Sequence, residues 1–440
     1  MVYFVNISAV LNSCKISVIK SAAYGGKENV EMKLTREEKN WILYDVGNSA
    51  FTLLIATIVP IYFNHLASGA GISDVDYLAY WGYSASLTTL VVAFLGPICG
   101  SIADTKGYKK PIFLAVLAVG VTGCLSLGLA KQWLVFLVIF IIAKIGYSGS
   151  LIFYDAMLTD ITTEERMDQV SSQGYAWGYI GSCIPFILCL VVVLGSDKLG
   201  ISMAQAMTVA FVITAVWWVL MTIPLMKIYE QKYYVEKKPG VVKESFRRLG
   251  HTFANVKKEK KIFLFLLAFF FYIDGVYTII DMATAYGSAL GLDTTGLLLA
   301  LLVTQIVAFP FAILFGRLAK KYSADKLITV CIVAYFCIAV YAYFLSNQVQ
   351  FFTLAVLVGM FQGGVQALSR SYFTKIIPAN QAGEYFGLLD ICGKGAAFMG
   401  TAIVSLVSQL TGSMNTGVGA IAVLFVIGLI FFRMSVKAEG

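Results

Sequence analysis

Several ionisable side chains stand inside stretches that are otherwise apolar: Asp45, Lys144, Asp155, Asp274, Asp281, Asp390 and Lys394, with Arg370 near the end of another. A charge within a membrane span costs several kcal/mol unless it faces protein or a water-filled cavity, so each is a candidate for binding or moving a solute. At about 100° per residue, Asp274 and Asp281 fall on one helix face with Tyr277 between them. Lys144 and Asp155 can look into one cavity from different depths, beside Ser148. Gln362, Gln366, Ser369 and Arg370 form a polar stripe, and Asp45, Asn48 and Thr52 form another. Asp390 and Lys394 are an i, i+4 pair, and Gln305 lies near mid-depth.

The chemistry on offer is recognition of a small polar solute. Lys394 can present an ammonium to a carboxylate or other anionic group, or be neutralised by Asp390. Asp274 and Asp281 supply carboxylates, and Tyr277, Asn48, Gln305, Gln362 and Gln366 supply neutral partners. Lys144 either lines the cavity or forms an interhelical salt bridge. A buried carboxylate without a partner tends to take up a proton, which makes Asp274 the first candidate for proton coupling and Asp281 the second. The alternative for Asp274 is capping of a broken span beside Gly275. Asp45, Asp155 and Arg370 lie nearer the inner surface and read as gate or helix-end residues. Gly174, Gly178 and Gly181 mark a close helix contact, beside which Tyr175 and Trp177 are packing residues. Two histidines, His65 and His251, and eight cysteines without CxxC spacing leave no metal or cofactor site. With no HExxH, GxSxG or phosphate-binding loop, an enzyme is not expected.

These residues must be positioned by membrane helices. Of the 440 residues 59% are apolar and 13% charged, and the mean hydropathy is +0.79. Soluble domains carry about 25% charged residues, so a soluble enzyme, a disordered chain and a secreted disulfide scaffold are excluded. A bilayer core needs roughly 20 apolar residues per helix. Twelve such stretches occur, near 41–66, 78–103, 111–130, 133–156, 171–194, 203–225, 262–288, 294–318, 326–345, 349–371, 384–408 and 415–433. The expected organisation is an N-terminal segment 1–40, a six-helix half 41–226, a basic linker 227–261, a second six-helix half 262–433 and a tail 434–440.

Positive residues near span ends remain cytoplasmic. With the N-terminus inside, 29 of the 33 Lys and Arg residues fall on the inner side and only Lys131 and Lys198 outside, which predicts both termini in the cytoplasm. The +8 charge is thus a topological signal and predicts no nucleic-acid partner. Residues 1–31 are either an amphipathic surface helix or not translated natively, since a start at Met32 places Thr35 and Glu38 as a capping box for span 1. In the linker, Phe246, Leu249, Phe253 and Val256 recur at helical spacing among Arg247, Arg248, Lys257 and Lys258, predicting an amphipathic helix on the inner leaflet.

Residues 100–110 read G-S-I-A-D-T-K-G-Y-K-K. This loop resembles the signature of the major facilitator superfamily, which implies an all-α fold of twelve transmembrane helices in two six-helix halves. In it Gly107 permits the reversal, Lys109 and Lys110 anchor the loop, and Asp104 can face a helix N-terminus or an arginine across the halves. The pattern partly recurs at 316–326, with Lys320 where Asp104 maps, as expected of parallel repeats. The segments Y-D-V-G-N-S-A-F (44–51), S-S-Q-G-Y-A-W-G-Y-I-G-S (171–182), F-F-F-Y-I-D-G-V-Y-T-I-I (269–280), Q-I-V-A-F-P (305–310), Q-A-L-S-R-S (366–371) and E-Y-F-G-L-L-D-I-C-G-K (384–394) are similar to the branch that includes the fungal vacuolar amino-acid effluxer of autophagy. Tyr277 and Asp155 depart from that branch, where a glutamine and an asparagine are usual. The resemblance implies a monomeric secondary transporter in the lipid bilayer, in a bacterium the plasma membrane, moving an amino acid or similar zwitterion by alternating access with proton or other ion coupling. A carrier of sugars, organic anions, nucleosides or drugs, a lipid flippase and a transporter-like sensor are the alternatives.

Overall fold

The computed structural model describes residues 33–72, 74–255, 258–289 and 292–438. The expected surface helix within 1–31, together with Met32, lies outside them. Among the described residues the chain is helical, and the one pairing of extended backbone is an isolated bridge between Thr105 and Val235. The N-terminal half comprises α1 (Arg36–Gly69), α2 (Asp74–Ala103), α3 (Lys109–Leu127), α4 (Trp133–Ala156), α5 (Met167–Leu194) and α6 (Met203–Ile228). A linker helix, Val241–Asn255, leads to the second half. That half comprises α7 (Lys260–Ala289), α8 (Thr294–Leu318), α9 (Ala324–Tyr343), α10 (Gln348–Ile376), α11 (Ala382–Thr411) and α12 (Met414–Lys437, interrupted at Ile421).

Among the described residues eleven of these helices are long and apolar enough to cross a membrane. The twelfth is α11, 30 residues long, whose apolar portion is Met399–Thr411. Several helices begin where a side chain satisfies a free N-terminal amide. Ser202 and Gln205 form a capping box on α6, Asp293 accepts from Gly296 N–H on α8, and Asn347 accepts from Gln350 N–H on α10. After Ala103 the chain reverses through Gly107, whose φ of 79° suits glycine.

In the first half α1 packs on α5 and α6, and α3 on α4; in the second α7 packs on α11 and α12, and α8 on α10. The α5 glycines face α1: a Cβ on Gly178 would stand 2.8 Å from Ser49 Oγ, and one on Gly181 2.5 Å from a Val46 methyl. The halves meet most extensively along α2 with α11 and α5 with α8, and also along α5 with α10 and α4 with α11. The first contact is backbone on backbone, because a Cβ on Gly100 would overlap the Gly383 carbonyl.

The linker helix forms over Val241–Asn255. Ser245, Leu249 and Thr252 are buried, whereas Phe246 is exposed; the Phe253 side chain and Val256 lie outside the described residues. The helix lies on the polar end of α2, where Ser101 and Glu384 reward Ser245 and Arg248 more than an apolar stripe.

Candidate functional site

A buried ionic cluster joins opposite halves at the end of the bundle that carries the linker. Arg370 on α10 is 4% exposed. One of its terminal nitrogens lies 3.5 Å from Asp45 on α1 and 3.0 Å from Asp155 on α4. Its Nε donates to Ser171 Oγ (2.9 Å) and its other terminal nitrogen to Ser171 O (2.9 Å), both on α5. Tyr154 O–H donates to Asp45 (2.8 Å), and Asn48 Nδ2 donates to Tyr44 O and Asp45. The rings of Trp41, Tyr154 and Tyr175 surround the guanidinium at 4.6, 5.5 and 4.4 Å, a stacking geometry that suits arginine. Gly174 leaves room for all of this, since its Cβ would stand 2.5 Å from Asp45 Oδ2.

Two further bridges join the halves beside it. Lys375 on α10 pairs with Asp168 on α5 at 2.7 Å. Asp104, fully buried, accepts from Gly383 N–H (2.8 Å) and Glu384 N–H (2.9 Å), the first turn of α11, where a carboxylate complements the helix dipole. Glu384 accepts from Ser101 Oγ (3.0 Å) and from Arg248 Nε (3.1 Å) of the linker helix, and Arg248 also donates to the Ser101 carbonyl. Burial pushes the Asp104 carboxyl up to about 7, against the pull of Lys109, the two amides and Arg248. In water it would return to 3.8, so any motion that buries Asp104 takes up a proton between these values. The contribution of Asp104 to closure is full below pH 3.8 and lost as pH rises through about 7. Spin-label distances across this end should show a smaller closed fraction at pH 8 than at pH 5, with the difference reduced in Asp104→Asn.

Lys109 and Lys110 behave differently from one another. Lys110 is half-buried, while Lys109 is fully buried and pairs with Asp160 at 3.1 Å. Asp160 also accepts from Tyr229 O–H (2.6 Å) and the amides of Lys232 and Tyr233, stapling the start of the linker to the signature loop. Removing one partner of a buried pair costs roughly 3–5 kcal/mol. Asp160→Asn should therefore lower the thermal midpoint more than the paired Lys109→Met/Asp160→Asn change does, as read by thermal unfolding in detergent. Glu38 with Arg166 (2.6 Å) makes a similar internal tie.

The expected solute groups lie apart from this cluster, some on both halves and some within the second half alone. Asp281 on α7 is exposed and senses the charge of Lys144 on α4. Tyr277 and Tyr147 share the field of Asp155 and Asp390, and Tyr147 O–H meets Thr52 Oγ at 2.6 Å. Gln366 accepts from Tyr179 O–H (3.4 Å). Gln305 and Gln362 are the amides of a cavity of about 50 Å³ between α7, α8 and α10, with walls such as Ile280, Leu301 and Leu354. Gln362 Oε1 is buried with no partner among the described residues. The side chain of Lys394 lies outside the described residues.

Asn48 and Asp274 are both buried. Asn48 lies beside Asp45 and donates to it at 3.4 Å. Asp274 is fully buried against α11, accepting from Gly400 N–H (2.9 Å) and Thr278 Oγ1 (3.2 Å), and its Oδ2 has no partner among the described residues. Sequence reasoning missed Asp160, Asp168, Glu384 and the ring cage around Arg370. Their signal was weak, since each lies in a loop, at a helix end or in an aromatic run.

Twelve helices in two halves that meet through α2–α11 and α5–α8 are the architecture of a major facilitator transporter. Solved structures share it: the transporter FucP in its outward conformation has a TM-score of 0.70 at 14% identity, covering 92% of this chain and 98% of that one. The human organic anion transporter MFSD10 has a TM-score of 0.70 at 12% identity, covering 91% of this chain and 100% of that one. The family model described as "Vacuole effluxer Atg22 like" matches residues 34–439. An uncharacterised MFS-type transporter of Bacillus subtilis, YxiO, is 44% identical over 90% of this chain and 94% of its own length. The chain belongs to the Atg22-like family of multi-pass MFS transporters and is not an enzyme. Autophagy-related protein 22-1 of Neosartorya fischeri is 24% identical over 62% of this chain, which spans about half (49%) of that relative's length.

Proposed function

We propose that this transporter moves an amino acid or similar small zwitterion by alternating access coupled to protons, with the linker and both termini in the cytoplasm and the spans in a bacterial plasma membrane. The observation that carries the reading is the shut gate: Arg370, held by Asp45, Asp155 and Ser171 of the other half, lies below a region that offers both signs of charge. A zwitterion fits Lys144 with Asp281 and Asp390, while the amides of Gln305 and Gln362 give it orientation. Asp274 is the proposed proton carrier, because its Oδ2 is buried without a donor among the described residues, an environment that disfavours a bare charge.

A counterflow screen of small metabolites in proteoliposomes tests the solute class; uptake of amino acids over sugars and organic anions is expected, and the reverse order contradicts it. Asp281→Asn should lower counterflow by at least about tenfold, since a hydrogen bond to a charged group is worth roughly 1.5–3 kcal/mol. Asp274→Asn should leave counterflow and remove uptake driven by a pH gradient. Gradient-driven uptake at the wild-type rate would exclude Asp274 as the carrier.

A further inference from the structure

The linker helix has three faces. Ser245, Leu249 and Thr252 are buried on the bundle, and Arg248 beside them reaches both halves, through Ser101 on α2 and Glu384 on α11. At about 100° per residue, Val242 and Phe246 lie about 60° and 100° round the helix from Ser245, and Lys243 and Arg247 follow at about 160° and 200°. Val242 is 56% and Phe246 49% exposed, and Arg247 and Lys243 are exposed beside them. Two bulky apolar side chains one turn apart, bordered by cations, are thus left uncovered on a helix fastened to the ends of two membrane helices. The ends of spans stand near the headgroup layer of a bilayer, which is where such a helix would meet lipid. The linker at 227–261 carries eleven Lys and Arg against four Glu, which fixes the sign of the surface it fits.

We propose that this helix docks on an anionic phospholipid surface through Val242, Phe246, Lys243 and Arg247, and that docking holds the linker-side gate shut. The inference rests on the gate reading above. When α2 and α11 part, Arg248 cannot keep both Ser101 and Glu384. A lipid surface that fixes the helix where both are in reach favours the shut state, because a partner shifts an equilibrium only by binding one state better. The apolar pair inserts at the acyl boundary and the cations meet the headgroups, as amphipathic interfacial helices do.

Gly250 lies on the same side, and a Cβ there meets nothing within 4 Å. An environment-sensitive fluorophore on Gly250→Cys, in a chain otherwise free of cysteine, should shift to the blue in vesicles of phosphatidylcholine with phosphatidylglycerol relative to phosphatidylcholine alone. The shift should vanish in Lys243→Gln/Arg247→Gln. In a separate sample, Ala367→Cys as sole cysteine should be labelled more slowly by an impermeant maleimide in the anionic vesicles, by roughly fivefold for each cation engaged. Equal emission in the two lipids, or a shift that survives the double substitution, overturns the docking. A shift with unchanged labelling overturns its coupling to the gate. The emission reports docking without transport, so docking in a protein that moves no amino acid would contradict the proposed function and leave this inference standing.

Discussion

Arg370→Gln is expected to open the linker side and stop transport. Asp45 is 6% exposed, and without the guanidinium its remaining partners are the Tyr154 hydroxyl and the Asn48 amide. An uncompensated buried charge costs roughly 3–5 kcal/mol, and in an alternating protein that cost falls on the shut state alone. At about 1.4 kcal/mol per factor of ten, the shut population should drop by roughly a hundredfold or more. Ala367→Cys, placed at the carbonyl that accepts from Ser171 Oγ (2.7 Å) and buried, should be labelled correspondingly faster by maleimide. Adding Asp45→Asn removes the stranded charge and should recover part of the protection, which separates a gate effect from misfolding. Unchanged labelling in Arg370→Gln would remove this residue from the gate.

Gly100→Ala is expected to have the second large effect, from a single methyl group. Its Cβ would overlap the carbonyl oxygen of Gly383, and backbone opposes backbone, so no rotamer can yield. Overpacking costs typically 1–3 kcal/mol, more where nothing can shift. One turn further, Gly387 meets Pro97 just as closely, so α11 cannot slide away locally. The two helices must separate, breaking the Asp104 bonds to the start of α11. The variant should fold, favour the open linker side and lose counterflow by an order of magnitude or more. Gly107→Ala is the control: the position is strained at φ 79° but has open space around it, so about 1–2 kcal/mol of backbone strain should leave the gate intact. Equal behaviour of the two variants would refute the contact argument.

The sequence made the helices legible because apolar runs of span length have no other stable use, and the acid among glycines at 100–110 singled out Asp104. Depth along each span also grouped Asp45, Asp155 and Arg370, since helix rise converts residue number into height. What lay beyond reach was pairing. Lys109 and Asp160, or Arg248 and Glu384, read in the sequence as solvated loop and end charges, and no local pattern says that the fold buries them against each other. Periodicity gives an angle on one helix without saying what stands opposite. Asp274 shares a stripe with Asp281, yet faces Gly400, whose missing side chain lets its N–H reach the carboxylate. The linker helix shows the same limit, its period right and its buried side set by a polar partner elsewhere.

The most direct test of alternating access through this gate is a reversible cross-link across it. In a chain without other cysteines, Ser171→Cys and Ala367→Cys put one thiol on α5 and one on α10, the helices that the Ser171 Oγ bond to the Ala367 carbonyl now joins. Counterflow of the solute found in the screen is then measured oxidised and reduced. The account predicts that oxidation stops counterflow and reduction restores it; counterflow at the reduced rate while the halves remain cross-linked would contradict it.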